Sequence, residues 1–202
     1  MKPQNPIKNM VWGNYPKGNV TQWFGENPEL YQKAVIINGI PLHAHNGIDI
    51  VAPWGTPIYA TTTQKIQDVK NDAGGYGKHI RSLDREYEWV YGHLSDIFVT
   101  AGQTVVAGTH IANMGNTGFV VSGATPYWKV NPYAGTHLHM GVRKIGTMDA
   151  ILDYNNGYFG AIDPFPLFKK DYEEVIIPLQ LTVISLANQV VGLLTKLLAL
   201  KK

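Results

Sequence analysis

Thr136-His137-Leu138-His139-Met140 alternates polar and apolar residues with the period of a β-strand. Successive strand side chains face opposite sides, so His137 and His139 share one face while Leu138 and Met140 point into a core. Two imidazoles on one side of a stiff strand make half of a metal site. The other half lies far upstream, in His45-Asn46-Gly47-Ile48-Asp49. Ile48 and Ile50 alternate with Asp49 and Val51, which puts Asp49 on a strand face. His45 sits just before it, on a turn that Gly47 permits. Two His and one Asp give three protein ligands and leave a fourth tetrahedral position open. That is the arrangement of a catalytic zinc rather than a structural one.

Outward from these stretches, the chain between about Val20 and Lys144 consists of short apolar runs broken by Gly, Pro, Asn and Asp. Ala34 to Ile37, Gly47 to Ala52, Pro57 to Ala60, Glu88 to Tyr91, Ile97 to Thr100 and His137 to Arg143 are examples. Regular short runs between turn residues predict a mostly β domain. Gly74-Gly75-Tyr76-Gly77 reads as a Gly-rich hairpin or bulge; no Lys-Ser/Thr follows, so it is not a phosphate loop. Gly115-Asn116-Thr117-Gly118 reads as a tight turn needing positive φ. Trp89, Tyr91 and His93 alternate on one strand face, which aims His93 into the groove of His137. Asp84, Glu86 and Glu88 read as a solvated strand face. His43, His79 and His110 read as surface or hydrogen-bonded residues, Asp163 as a turn residue, and Trp12, Trp54 and Trp128 as packing residues.

Five elements, in this order and spacing, resemble the lysostaphin-type (LytM-like) zinc metallopeptidases over roughly Val20 to Phe168. They are His45-Asn46-Gly47-Ile48-Asp49, the strand and turn Ile50 to Ala60, Tyr91-Gly92-His93-Leu94-Ser95, Gly115 to Gly118, and His137-Leu138-His139. The opening Val20-Thr21-Gln22-Trp23-Phe24-Gly25 and the closing Ile162-Asp163-Pro164 also look like those of the family. The resemblance implies an antiparallel sheet with the active site in a groove along it. It implies that His45, Asp49 and His139 bind one zinc per chain. It implies that His93 and His137 are the two catalytic histidines that are not ligands. A water activated by zinc needs a base for its proton and a donor for the developing oxyanion, and two histidines can supply both.

The sequence departs from the family in places. Met140 and Gly141 stand where the family commonly has an aromatic and a Glu. Glu26 and Asn27 stand where it tends to have an Arg. The segment Phe119 to Gly135 is longer than the family norm and carries Phe119, Tyr127, Trp128 and Tyr133. It is a candidate wall of the substrate groove.

With 45% apolar and 16% charged residues, the 202-residue chain has enough apolar content for a core. A net charge of only +2 argues against a nucleic-acid partner. The lack of cysteine excludes disulfides, thiolate metal sites and Cys nucleophiles. Residues Met1 to Gly18 have no apolar core of a secretory signal. Release by lysis through a membrane hole, or carriage on a virion, would fit such a wall enzyme, as in a phage lysin.

From Asp171 the composition changes. Leu179, Val183, Leu186, Val190, Leu193, Leu197 and Leu200 repeat at heptad spacing, with Ile184, Ala187, Val191, Leu194 and Leu198 as a second seam. This predicts an amphipathic α-helix from about Pro178 to Leu200. Thr182, Ser185, Asn188, Gln189 and Lys196 interrupt it, so a membrane span is not expected. Two adjacent seams suggest a homo-oligomer through this helix. The expected organisation is an N-terminal extension (1–19), a zinc metallopeptidase domain (20–170) and the C-terminal helix (171–202).

The function implied is a zinc endopeptidase acting on the peptides of bacterial peptidoglycan, at the cell wall. The rival from another class is a wall-binding, regulatory or virion structural protein on the same fold. Retention of all five His and Asp residues argues against it.

Overall fold

The computed structural model describes residues 2–122, 125–126, 129 and 131–169. The chain divides into a first unit, 1–165, and a second, 166–202. Of the second unit only 166–169 are described. The amphipathic helix expected at Pro178 to Leu200 lies outside the described residues, as do Tyr127 and Trp128. No helix among the described residues is long and apolar enough to cross a membrane.

The elements run β1 (Val20–Gln22), α1 (Pro28–Ala34), β2 (Ile36–Ile37), β3 (Ile40–Pro41), β4 (Ile48–Ile50), β5 (Pro57–Tyr59), β6 (Gln64–Asp72), β7 (Gly77–Leu83) and β8 (Tyr87–Gly92). They continue with β9 (Leu94–Ile97), β10 (Thr104–Val105), β11 (His110–Met114), β12 (Val121–Ser122), β13 (Thr125–Pro126), β14 (Leu138–Lys144) and β15 (Ala161–Ile162). The main sheet is antiparallel, in the order β1-β4-β14-β8-β7-β6-β10, with β15 also on β14. A second, three-stranded sheet has the order β5-β11-β9. The mostly β architecture with an antiparallel sheet expected from the sequence is the one observed.

Alternation explains the core. Leu138, Met140 and Val142 of β14, Trp89 and Tyr91 of β8, and Ile48 and Ile50 of β4 are fully buried. They share one face because Met140 pairs with Tyr91 and Ile48, and Val142 with Trp89. Ile58, Leu94, Ile111 and Met114 of the second sheet are fully buried as well. The large aromatics keep their polar atoms satisfied. Trp89 donates to Asp84 at 2.7 Å, and the Tyr91 hydroxyl meets the Thr61 backbone and side chain and Gln64.

Three local readings change. Asp84 and Glu88 do not belong to a solvated face. Asp84 caps its own turn through the amides of Glu86 and Tyr87, and Glu88 is buried and paired with Arg143 across β8 and β14. Ala34 ends a helix, α1, rather than starting a strand, and that helix buries none of its residues. Ile97 ends β9 rather than opening a run toward Thr100. The N-terminal residues pack within the first unit: Ile7, Met10 and Trp12 are buried, and the Tyr59 amide donates to the Pro6 carbonyl.

Candidate metal centre

Neighbouring central strands carry the site. On β14, His139 lies opposite Asp49 of β4 and opposite Gly92 of β8. His45 precedes β4, and its Nε2 reaches Asp49 Oδ1 at 3.1 Å and His139 Nδ1 at 3.0 Å. His139 Nδ1 stands 3.1 Å from the same Asp49 oxygen. All three residues are buried. Two imidazole nitrogens and a carboxylate oxygen at such spacing repel through their lone pairs unless a proton or cation lies among them. A tetrahedral zinc with bonds of about 2.0–2.1 Å sets its ligand atoms about 3.3 Å apart. The donor set and its spacing therefore fit that ion.

Gly47 acts differently from the turn read in the sequence. Its φ is not left-handed; its service is close approach. A Cβ at Gly47 would lie 2.6 Å from His139 Cε1 and Nε2, and 2.7 Å from the Met140 carbonyl. Only glycine lets the segment between His45 and Asp49 lie against the His139 ring.

His137 is bridged to Gly115 just before β14, and its Nε2 is 3.6 Å from Asp49 Oδ2. His93 stands 4.6 Å from it, ring centre to ring centre. His93 arrives by a route that alternation does not give. Trp89 and Tyr91 point to the core, so a continued strand would send His93 there too. Instead β8 ends at Gly92, and His93 takes φ 60° before β9 begins at Leu94. This left-handed corner turns its side chain to the groove. In both histidines Nδ1 donates to a backbone carbonyl: Thr117 for His93 at 2.8 Å and Gly135 for His137 at 2.7 Å. Carbonyls only accept, so each ring carries a proton on Nδ1 and leaves Nε2 for the groove.

Residues 43–151, more than half of the chain, match the model of peptidase family M23. The chain belongs to peptidase family M23. An uncharacterized metalloprotease of Haemophilus influenzae is 42% identical over 78 residues, 38% of this chain and 16% of that protein. The peptidoglycan DD-endopeptidase ShyA of Vibrio cholerae is 35% identical over 97 residues, 47% of this chain and 19% of that protein. The chain thus spans less than a fifth of the length of either relative. Among solved structures, LytU superposes with a TM-score of 0.53 at 31% identity, covering 79% of this chain and 91% of that one. Lysostaphin from Staphylococcus simulans gives a TM-score of 0.53 at 23% identity, over 75% of this chain and 49% of that one, which speaks to the fold.

The electrostatics of this M23 site oppose burial with charge. Burial alone would raise the Asp49 carboxyl, but His45 and His137 beside it hold it well below its usual value. Burial also works against charge on His45, yet Asp49 more than offsets this and raises the imidazole. Burial, followed by the neighbouring His137 and His139, pushes His93 well below the ordinary imidazole value. Burial is also the main reason that His139 is lowered.

Two site residues are absent from the sequence reading. Tyr31 of α1 stacks on His45 at 5.4 Å, with 26° between the planes. Tyr76, at the tip between β6 and β7, stacks on His139 at 4.9 Å and 30°. Tyr31 had no local signal. Tyr76 did: a single aromatic among three glycines. Of the remaining histidines, His79 is buried and donates from Nδ1 to the Gly77 carbonyl, while His43 and His110 are exposed. Trp54 and Tyr133 are exposed and meet edge to face at 5.4 Å.

Proposed function

We propose that this M23 chain is a zinc-dependent endopeptidase that hydrolyses peptide bonds of bacterial peptidoglycan. In this reading His45, Asp49 and His139 hold one zinc, and His93 and His137 handle the protons. The observation that carries it is the triangle of His45 Nε2, Asp49 Oδ1 and His139 Nδ1, with edges of 3.0–3.1 Å. When bound, zinc supplies Lewis acidity toward water and toward a scissile carbonyl.

The chain's own groups supply the rest. Asp49, kept ionised, offsets the charge of a cation. The Nε2 atoms of His93 and His137 sit next to the triangle, and the rings are oriented by the Thr117 and Gly135 carbonyls. One imidazole takes the proton of the attacking water. The other, when it carries a proton on Nε2, donates to the oxyanion of the tetrahedral intermediate or protonates the leaving amine. Neither ring can tumble, because each Nδ1 is tied to backbone.

Peptidoglycan as substrate rests on family membership and on the similarity to ShyA. It is tested by digesting purified walls from several bacteria and weighing the fragments. Peptide fragments with new amino termini and intact glycan linkages are expected. Walls left uncut by zinc-loaded protein, or cut equally well after exhaustive metal removal, would overturn the proposal.

A further inference from the structure

Of the two histidines in the triangle, only His139 has no hydrogen bond at its outer nitrogen among the described residues. A histidine that binds metal through one ring nitrogen usually donates from the other to a carbonyl or carboxylate, which fixes ring and tautomer. His45 does so: its Nδ1 donates to the Trp23 carbonyl at 3.1 Å. His139 Nε2 is buried and meets no hydrogen-bond partner among the described residues. It faces two glycines. A Cβ at Gly47 would fall 2.6 Å from it, and one at Gly141 would fall 3.6 Å away.

What touches the His139 ring instead is Tyr76. The two rings stack at 4.9 Å and 30°, and Tyr76 also meets His79 edge to face at 5.7 Å. Gly92, opposite His139 on β8, makes room for this. A Cβ there would lie 3.3 Å from His139 Cβ and 3.4 Å from the Tyr76 side chain. The Tyr76 hydroxyl accepts from Asn46 Nδ2 at 2.9 Å, inside the run from His45 to Asp49. The Tyr76 backbone carbonyl accepts from the His93 amide at 2.7 Å. One hairpin residue thus ties together the His45–Asp49 run, the His93 corner and His139.

We infer that Tyr76 is the positioning residue of His139: its flat ring, stacked on the imidazole, sets the plane that a hydrogen bond to Nε2 sets elsewhere. Stacking fixes the ring plane without withdrawing or adding a proton at Nε2. The inference rests on the reading of His139 as a zinc ligand.

The test is zinc affinity, measured on the full chain by competition with a chromophoric chelator, beside the melting temperature of the metal-free protein. Tyr76→Phe keeps the ring and loses only the Asn46 anchor; it should bind zinc within about threefold of wild type. Tyr76→Met keeps the bulk and loses the flat face. It should weaken zinc by about 10–100-fold, the usual scale for losing support of a ligand histidine. Adding Gly141→Asn to Tyr76→Met gives Nε2 an acceptor and should recover most of that loss. A merely structural Tyr76 would lower the metal-free melting temperature without moving zinc affinity, and that result would overturn the inference. Should Tyr76→Met fail to fold, Gly141→Asn in the otherwise native chain makes the same test. With Tyr76 holding the ring, affinity should change by less than about threefold, and a tenfold gain would overturn the inference. Wild-type protein that binds no zinc would overturn the zinc reading itself, and this inference with it. Zinc-binding wild type with an equally tight Tyr76→Met overturns the inference alone.

Discussion

Strand β14 and the corner between β8 and β9 both bring imidazoles to one groove, by opposite means. His137 and His139 arrive through regular alternation, with Leu138 and Met140 buried behind them. His93 arrives because alternation stops: φ 60° at this residue turns it away from the core that Trp89 and Tyr91 fill. The straight strand is stiff, its side-chain directions follow from its register, and it suits residues that must hold a fixed distance. The corner costs roughly 1–2 kcal/mol of backbone strain for a residue with a Cβ. It places the His93 imidazole beside His137 while its amide is held by the Tyr76 carbonyl.

The comparison can be broken by substitution. The largest effect belongs to His139, the proposed ligand on the straight strand. His139→Ala removes one corner of the triangle and should abolish both zinc binding and hydrolysis, measured as metal content and as wall digestion. Next come the paired imidazoles, His93→Ala and His137→Ala. Each should keep its zinc and lose about 10²–10⁴-fold in turnover. If His137→Ala lost the metal while His139→Ala kept it, the roles of these two histidines would be reversed. Gly47→Ala should be smaller. Its methyl group collides with the His139 ring, and zinc affinity should fall by about 10–100-fold while the other ligands remain. Unchanged affinity would mean that the ring direction does not matter. The smallest effect isolates the corner. His93→Gly should be more stable than His93→Ala by about 1 kcal/mol, because glycine accepts the left-handed conformation freely. Both should be equally inactive. Equal melting temperatures would show that the corner carries no strain.

What the sequence disclosed follows the same division. Period-two alternation made β14 and β4 legible, and with them Asp49, His137 and His139. His93 reaches the groove by a route other than the one read, since one backbone angle reverses the face and no side-chain pattern encodes it. Glu88 looked solvated because its partner, Arg143, is 55 positions away and meets it only across a strand pair. Helix α1 was missed since it has seven residues and no buried face, so no periodicity marks it. Pro28 at its start and Glu29 in its first turn were the available signals. Tyr31 and Tyr76 act through stacking across long sequence separations, 14 residues to His45 and 63 to His139. Such contacts become visible only once the chain has folded.

The central claim is that His45, Asp49 and His139 together hold one zinc that hydrolysis requires. The most direct measurement strips the purified chain with chelator, restores zinc stepwise, and follows bound metal and wall hydrolysis together. The account predicts that activity vanishes with the metal and returns in proportion to zinc, saturating at one ion per chain. The same titration of Asp49→Ala should show neither tight binding nor recovery. Full hydrolysis by metal-free protein, or tight stoichiometric zinc binding by Asp49→Ala, would contradict it.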